Sequence, residues 1–233
     1  MTPYYDQDGI TVYLGDCLEV LPTLDAVDLV LTDPPYGIGA GGVERRANLQ
    51  HGAAAAPSKD YGRVEWDGCP PSPALLTDVI AKGRNAIVWG GNYFGLPPSG
   101  AWLVWDKDNG SNGYADCELA WTNLPQAVRR IRYRWMGMLQ ERMGAEKEER
   151  YHPTQKPLPV MLWALQQAPD AYSTLDPFMG SGTTLVAAKQ LGIRAIGIEI
   201  EERYCEVAVK RLESTTPPLF TIPSEKPTQE VLL

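Results

Sequence analysis

The chain has 233 residues, 44% of them hydrophobic and 21% charged, with a net charge of −8. That is enough apolar material for one substantial core, and no run approaches the ~20 apolar residues that span a bilayer. Four widely spaced cysteines and two histidines argue against a disulfide framework and a zinc cluster, so no metal site is expected, and a start without basic residues or an apolar signal core points away from secretion.

The elements alternate. Ile10–Leu14 reads as a strand and Leu18–Leu21 as a short helix; Val27-Asp28-Leu29-Val30-Leu31-Thr32 ends in the next strand. Residues 37–73 are rich in Gly, Ala and Pro and too long for a simple connection, so a loop insertion is expected there. Ala74–Lys82 reads as a helix and Ala86–Trp89 as a strand. Ala101–Asp106, Cys117–Trp121 and Val128–Arg134 read as strands separated by turn signals, Asn109-Gly110 and Asn112-Gly113 among them, which predicts an antiparallel edge. Leu158–Gln167 reads as a helix. A strand ending at Asp176, a helix over 182–191 and a strand over 195–200 then form one unit, followed by a helix over 202–212 and a loose tail over 214–233. The fold class predicted is α/β: a single, doubly wound, mostly parallel sheet covered on both faces.

Two motifs carry chemistry. In the later one, Asp176-Pro177-Phe178-Met179-Gly180-Ser181-Gly182-Thr183-Thr184, a strand must turn sharply into a helix. Gly180 and Gly182 permit positive φ and close approach of a ligand. Ser181, Thr183 and Thr184 can cap the helix, and its N-terminal N–H groups suit a carboxylate or phosphate. Glu199 stands 23 residues after Asp176, near the spacing at which an acidic residue accepts from ribose hydroxyls. The loop is not G-x-G-x-x-G, and Asp176 would repel a pyrophosphate. Its carboxylate better suits the ammonium of a methionine moiety, which favours S-adenosylmethionine over NAD.

In the earlier motif, Asp33-Pro34-Pro35-Tyr36, the prolines stiffen a turn that can aim the Asp33 carboxylate and the Pro34 carbonyl at one amino group. Tyr36 offers an aromatic face for a base. In the extended segment Arg129–Arg134, Arg130, Arg132 and Arg134 share one face and form a candidate phosphate patch; Arg45 and Arg46 form a weaker one.

These two motifs together resemble those of the DNA amino-methyltransferases that act on adenine N6 or cytosine N4, and their order resembles the β-type, circularly permuted group. The likeness extends roughly from Ile10 to Glu213. Gly15-Asp16-Cys17-Leu18-Glu19-Val20-Leu21 is similar to a family segment whose Asp meets the cofactor adenine. His152-Pro153-Thr154-Gln155-Lys156-Pro157 is similar to one lying over the cofactor, and Glu118-Leu119-Ala120-Trp121-Thr122 also fits.

The resemblance implies a seven-stranded methyltransferase sheet, with one catalytic domain over 1–213 and a short target-recognition segment over 123–151. It implies S-adenosylmethionine held by Asp16, Cys17, Thr154, Lys156, Asp176, Phe178, Gly180, Ser181, Gly182, Thr183 and Glu199. Asp33, Pro34, Pro35 and Tyr36 become the catalytic residues, acting on a base swung out of its duplex. Arg45, Arg46, Arg130, Arg132 and Arg134 become the DNA contacts. Because Asp usually opens this motif in adenine enzymes, adenine N6 is favoured over cytosine N4. RNA adenine, protein glutamine and an inactive nucleic-acid-binding subunit are the rivals. Cytosine C5 chemistry needs a thiol after a proline, whereas Cys69 follows Gly68. The partner expected is DNA, with no membrane. A homodimer and a cognate restriction enzyme are further candidate partners, and the location expected is the cytoplasm of a bacterial or phage-infected cell.

Overall fold

The computed structural model describes residues 1–37, 69–110, 115–136, 139–144 and 147–218. In chain order the elements are β1 (Tyr5–Gln7), β2 (Ile10–Leu14), α1 (Cys17–Val20), β3 (Val27–Thr32), α2 (Pro73–Ala81), β4 (Gly83–Trp89), β5 (Ala101–Asp106), β6 (Cys117–Thr122), β7 (Arg129–Arg132), β8 (Trp135–Met136), β9 (Leu139–Gln140), α3 (Leu158–Gln166), β10 (Ser173–Asp176), α4 (Thr183–Leu191), β11 (Arg194–Glu199) and α5 (Glu202–Glu213).

Nine strands form one sheet in the order β1-β2-β11-β10-β3-β4-β6-β5-β7, and β8 and β9 form a separate hairpin. The five strands β2-β11-β10-β3-β4 are parallel; β6 runs antiparallel to both β4 and β5. The seven strands β2-β11-β10-β3-β4-β6-β5 match the number that the resemblance implies; two short strands lie outside them, β1, which the sequence reading did not include, and β7, which it did.

The first of these is β1. Asp8 and Gly9 both have positive φ, 53° and 75°, as a two-residue primed hairpin turn requires, and Gln7 pairs with Ile10. The other is β7, which lies parallel on the outer side of β5, with Arg132 opposite Asp106. The antiparallel run therefore ends at β5 and does not extend through the arginines.

The burial follows from helices on both faces. In β3 five of the six residues are buried, so no period of two shows. Leu29 and Leu31 enter one apolar layer with Met161 and Leu165 of α3 and Leu185 of α4; Val30 enters the other with Val79 of α2 and Val20 of α1. Each such side chain contributes roughly 1.5–3 kcal/mol of burial free energy. β5, nearer the edge, keeps the alternation, with Ala101, Leu103 and Trp105 buried.

Candidate active site

Both motifs emerge at the carboxyl edge of the sheet, where β3 and β10 are hydrogen-bonded neighbours, Thr174 opposite Leu29 and Leu175 opposite Val30. From β10 the next parallel neighbour in the chain, β11, lies to one side; from β3 the next, β4, lies to the other. A sheet whose connections diverge in this way opens a crevice at that point. The Thr32 hydroxyl, fully buried, donates to Asp176 Oδ1 at 2.8 Å and ties the end of one strand to the end of the other.

At the first turn the Tyr36 hydroxyl donates to Asp33 Oδ1 at 2.5 Å. The Tyr36 ring stacks on Tyr93, centroids 4.8 Å apart and planes 18° apart, and meets the edge of Phe94. Gly90, at φ 68°, lets the backbone pass beside this ring: a Cβ there would fall 2.1 Å from Tyr36 Cε1. Lys156 places its buried ammonium 2.6 Å from Asp33 Oδ2, 3.0 Å from Glu118 Oε2 and 3.1 Å from the Tyr36 hydroxyl. Glu118 Oε1 is 2.6 Å from Lys107 Nζ.

The charges in this cluster are unequal. Burial would raise the Glu118 pKa, but Lys156 and Lys107 overcome it and hold it at about 2. Burial raises Asp33 above the usual carboxylate range; Lys156 pulls it back and Glu118 pushes it further up. Burial would lower Lys156, yet the two carboxylates hold it above an ordinary lysine. The ammonium and Glu118 are therefore firmly ionised, and Asp33 is the softer member.

At the second turn Gly180 and Gly182 take positive φ, 51° and 76°, before α4 begins at Thr183. A Cβ on Gly182 would lie 2.7 Å from the Ala208 Cβ, so the glycine also admits α5. Asp176 is 2% exposed and used within the turn: Oδ1 accepts from Thr32 and from the Phe178 N–H at 3.2 Å, and Oδ2 from the Thr184 hydroxyl at 2.5 Å. Burial raises its pKa to about 6 despite these donors. Glu199 closes the turn from β11, accepting from Gly180 N–H at 3.0 Å and Glu201 N–H at 2.9 Å, and burial raises it to about 7. Asp16 follows β2, the strand beside β11, half-buried and capping α1 through the Leu18 N–H at 2.9 Å. Cys17 beside it is a buried thiol raised to about 11, chiefly by burial.

Three placements depart from expectation. Lys156, expected over the cofactor, turns to the Asp33 turn instead. Ser181 and Thr183 are spent on a residue that the sequence did not single out: Arg211 of α5 donates to Ser181 O at 2.7 Å, Ser181 Oγ at 3.2 Å and Thr183 Oγ1 at 3.0 Å. Nothing in the pattern of α5 sets Arg211 apart from its neighbours. Glu118 opens the Glu118–Thr122 segment included in the resemblance, which gives it no role. His152, near Gly180, packs edge-on against Tyr204, and burial lowers it to about 3, which leaves it neutral. Thr154 bonds to His152, its backbone N–H reaching Nδ1 at 3.3 Å.

Arg130, Arg132 and Arg134 do share a face, at the same carboxyl edge, and are 68%, 65% and 48% exposed. Arg130 lies 3.7 Å from Asp106; Arg132 and Arg134 both pair with Asp108, Arg134 at 2.6 Å. Arg45, Arg46 and most of the expected 37–73 insertion lie outside the described residues, as does most of the tail beyond 214. Among the described residues no group of His, Cys, Asp and Glu could hold a metal ion, and no helix is long and apolar enough to cross a membrane.

A carboxylate turn beside a glycine turn, at the divergence point of a mostly parallel α/β sheet with antiparallel β6 near one edge, is the class-I methyltransferase architecture. The sequence pattern of the N6/N4 methyltransferase family, described as DNA methylase, matches residues 88–210, just over half of the chain, and the chain belongs to that family. The type II methyltransferase M.ScaI of Streptomyces caespitosus is 28% identical, over 94% of this chain and 86% of its own length. Among solved structures, M1.HpyAVI in its SAM complex superposes with a TM-score of 0.52 at 23% identity, covering 87% of this chain and 98% of that one. PvuII DNA methyltransferase, described as cytosine-N4-specific, superposes with a TM-score of 0.54 at 16% identity, covering 90% and 88%. At these identities the two structures speak for the fold.

Proposed function

We propose that the chain transfers a methyl group from S-adenosylmethionine to the exocyclic N6 of adenine in DNA. The observation that carries the reading is the adjacency of the Asp33 turn and the Asp176 turn across one crevice, strapped by Thr32. Bound S-adenosylmethionine would supply an electrophilic methyl on a sulfonium. The residues around the second turn suit it. Gly180 turns at φ 51° beside the His152 ring, 3.5 Å from where a Cβ would lie, Glu199 is poised for ribose hydroxyls, and Asp16 lies two residues past the neighbouring strand for the adenine end. Asp176 keeps one of its roughly four lone-pair positions free for an ammonium.

On the acceptor side, Asp33 and the Pro34 carbonyl accept the two amino hydrogens and leave the nitrogen lone pair aimed across the crevice. Tyr36 carries the flipped base on the face that Tyr93 does not cover. Held there, the amino nitrogen would be in place to accept the methyl group, and Asp33 would take the proton that the nitrogen sheds. Positioning supplies most of the acceleration. The exposed guanidinium groups of Arg130, Arg132 and Arg134 are the phosphate contacts, and residues 123–151, which contain them, carry target recognition.

The test is incubation with unmethylated DNA and labelled cofactor, followed by nucleoside mass spectrometry. N6-methyladenine is expected. N4-methylcytosine would overturn the choice of base, and neither product would overturn the reading. Asp33→Ala should reduce transfer at least ~100-fold and leave cofactor binding intact; turnover near that of the unaltered protein would remove Asp33 from the chemistry.

A further inference from the structure

A carboxylate holds an amino group best with its charge uncommitted, and at rest both oxygens of Asp33 already have a donor, which leaves about two of its roughly four lone-pair positions. Its Oδ1 takes the Tyr36 hydroxyl at 2.5 Å and its Oδ2 takes the Lys156 ammonium at 2.6 Å. A base amine arriving there competes with the ammonium for the charge of Asp33, and Lys156 is the partner able to yield, because it has a second carboxylate, Glu118, at 3.0 Å. Releasing Asp33 does not leave its charge buried and unpaired, which would cost several kcal/mol. Glu118 is itself pinned by Lys107 at 2.6 Å, so it stays in place while the ammonium shifts.

We propose that Lys156 is a positioning residue for the acceptor site: it occupies the amine subsite on Asp33 at rest, moves onto Glu118 as the base amine arrives, and returns after transfer. The proposal rests on the methyl-transfer reading and deepens it. An ammonium in that subsite presents hydrogens to Asp33 as the target amine would, so it keeps a buried carboxylate solvated in kind until the substrate replaces it. In the forward step the amine nitrogen gains the methyl and gives one proton to Asp33. The returning ammonium lowers the proton affinity of Asp33 and sends that proton to water, which restores the resting pair. The charged and titratable groups facing Asp33 are Tyr36 on its own turn, Lys156 before α3, Glu118 on β6 with Lys107 behind it, and Asp176 at the end of β10. Two cations and two anions make up the Lys156 cluster, so it is neutral at rest.

The experiment is single-turnover methyl transfer to unmethylated genomic DNA across pH 5.5–9 with the full chain, beside calorimetric binding of S-adenosylmethionine. Glu118→Gln is nearly isosteric and removes the alternative anion. Lys156 then stays on Asp33, so the plateau rate should fall about tenfold if the vacated state drops to a tenth of its former population. Without the repulsion from Glu118, Asp33 also ionises more readily, and the acidic limb of the profile should move to lower pH. Lys156→Met removes the cation, so the acidic limb should move the opposite way, to higher pH; Lys156→Arg retains the charge and should leave the limb near its original place. Cofactor affinity should be unchanged in Glu118→Gln. Limbs that move together or stay still in an active enzyme, or a loss of cofactor affinity that matches the loss of rate, would overturn the role of Lys156 alone. Absence of transfer by the unaltered protein would instead sink the methyl-transfer reading beneath it.

Discussion

Gly90→Ala places a methyl group where the Tyr36 ring already is. The added carbon would lie 2.1, 2.5 and 2.7 Å from Tyr36 Cε1, Cζ and Cδ1, whereas carbon atoms rest at about 3.5–4.0 Å. The ring must therefore shift by roughly 1 Å or more. It has little room, being stacked on Tyr93, edge-on to Phe94 and bonded to Asp33. Losing the bond to Asp33 costs about 1 kcal/mol and the stacking about as much again. Alanine at φ 68° adds ~1–2 kcal/mol. Together these come to roughly 3–4 kcal/mol, which for a chain of this length lowers Tm by about 6–16 °C. The larger effect falls on rate: a ring displaced by ~1 Å no longer aligns base and Asp33, and transfer should drop about 100-fold. Cofactor affinity should hold, since the atoms nearest a Cβ at Gly90 all belong to Tyr36. Thermal melts, initial rates with labelled cofactor and calorimetry read these three quantities separately. A folded variant with an unaltered rate would refute the claim that the Tyr36 pose matters, and an equal loss of cofactor affinity would refute the separation of the two half-sites.

Two further outcomes follow from charge. Glu199 rises from 4.5 to about 7 through burial, so between those values the native state binds more protons than the unfolded chain, and its contribution to stability falls as pH rises through that window. Binding of ribose hydroxyls needs the ionised form, so cofactor affinity should weaken by about tenfold per pH unit below 7. Glu199→Gln should flatten both dependences; pH titration of Tm and of cofactor binding checks them, and unchanged slopes would remove Glu199 from the site. Replacing Arg130, Arg132 and Arg134 with alanine should reduce the slope of log K against log salt for DNA binding by about 2–3. A slope that does not change would mean that the phosphates lie elsewhere.

The site was legible in the sequence where chemistry is written locally and obscure where it is assembled across the sheet. The Asp33 and Asp176 turns each follow an apolar strand and carry their own backbone chemistry, so their elements could be read from a few residues. The β1 hairpin, signalled only by Asp8-Gly9, escapes the sequence reading, since three residues of strand offer almost no periodicity to notice. So does the parallel placement of β7, because Val128–Arg134 has the same alternation whether it continues a meander or crosses over. Lys156 shows the limit most clearly. Its neighbours in sequence put it with the cofactor, while its ammonium answers to two carboxylates, Asp33 and Glu118, that only folding brings together. Arg211 is invisible for the same reason: its meaning lies in the carbonyl of Ser181, on another element.

A net charge of −8 stands against a DNA substrate, and the distribution of the charges resolves the conflict. The carboxylates at the crevice do not present an open negative field. Asp33 and Glu118 are matched by Lys156 and Lys107, Asp176 by two hydroxyls and an N–H, and Glu199 by two N–H groups. Asp108 is paired with Arg132 and Arg134, and within that group the carboxylate is the inner member, 22% exposed against 65% and 48% for the arginines. A phosphate arriving at this edge meets guanidinium groups first. Acidic side chains farther off count for little, because at physiological salt a charge is screened over about 8 Å. On the proposed function, affinity for DNA would be set by a few outward cations at the carboxyl edge, and overall acidity would bear on solubility and on weak attraction to DNA at a distance.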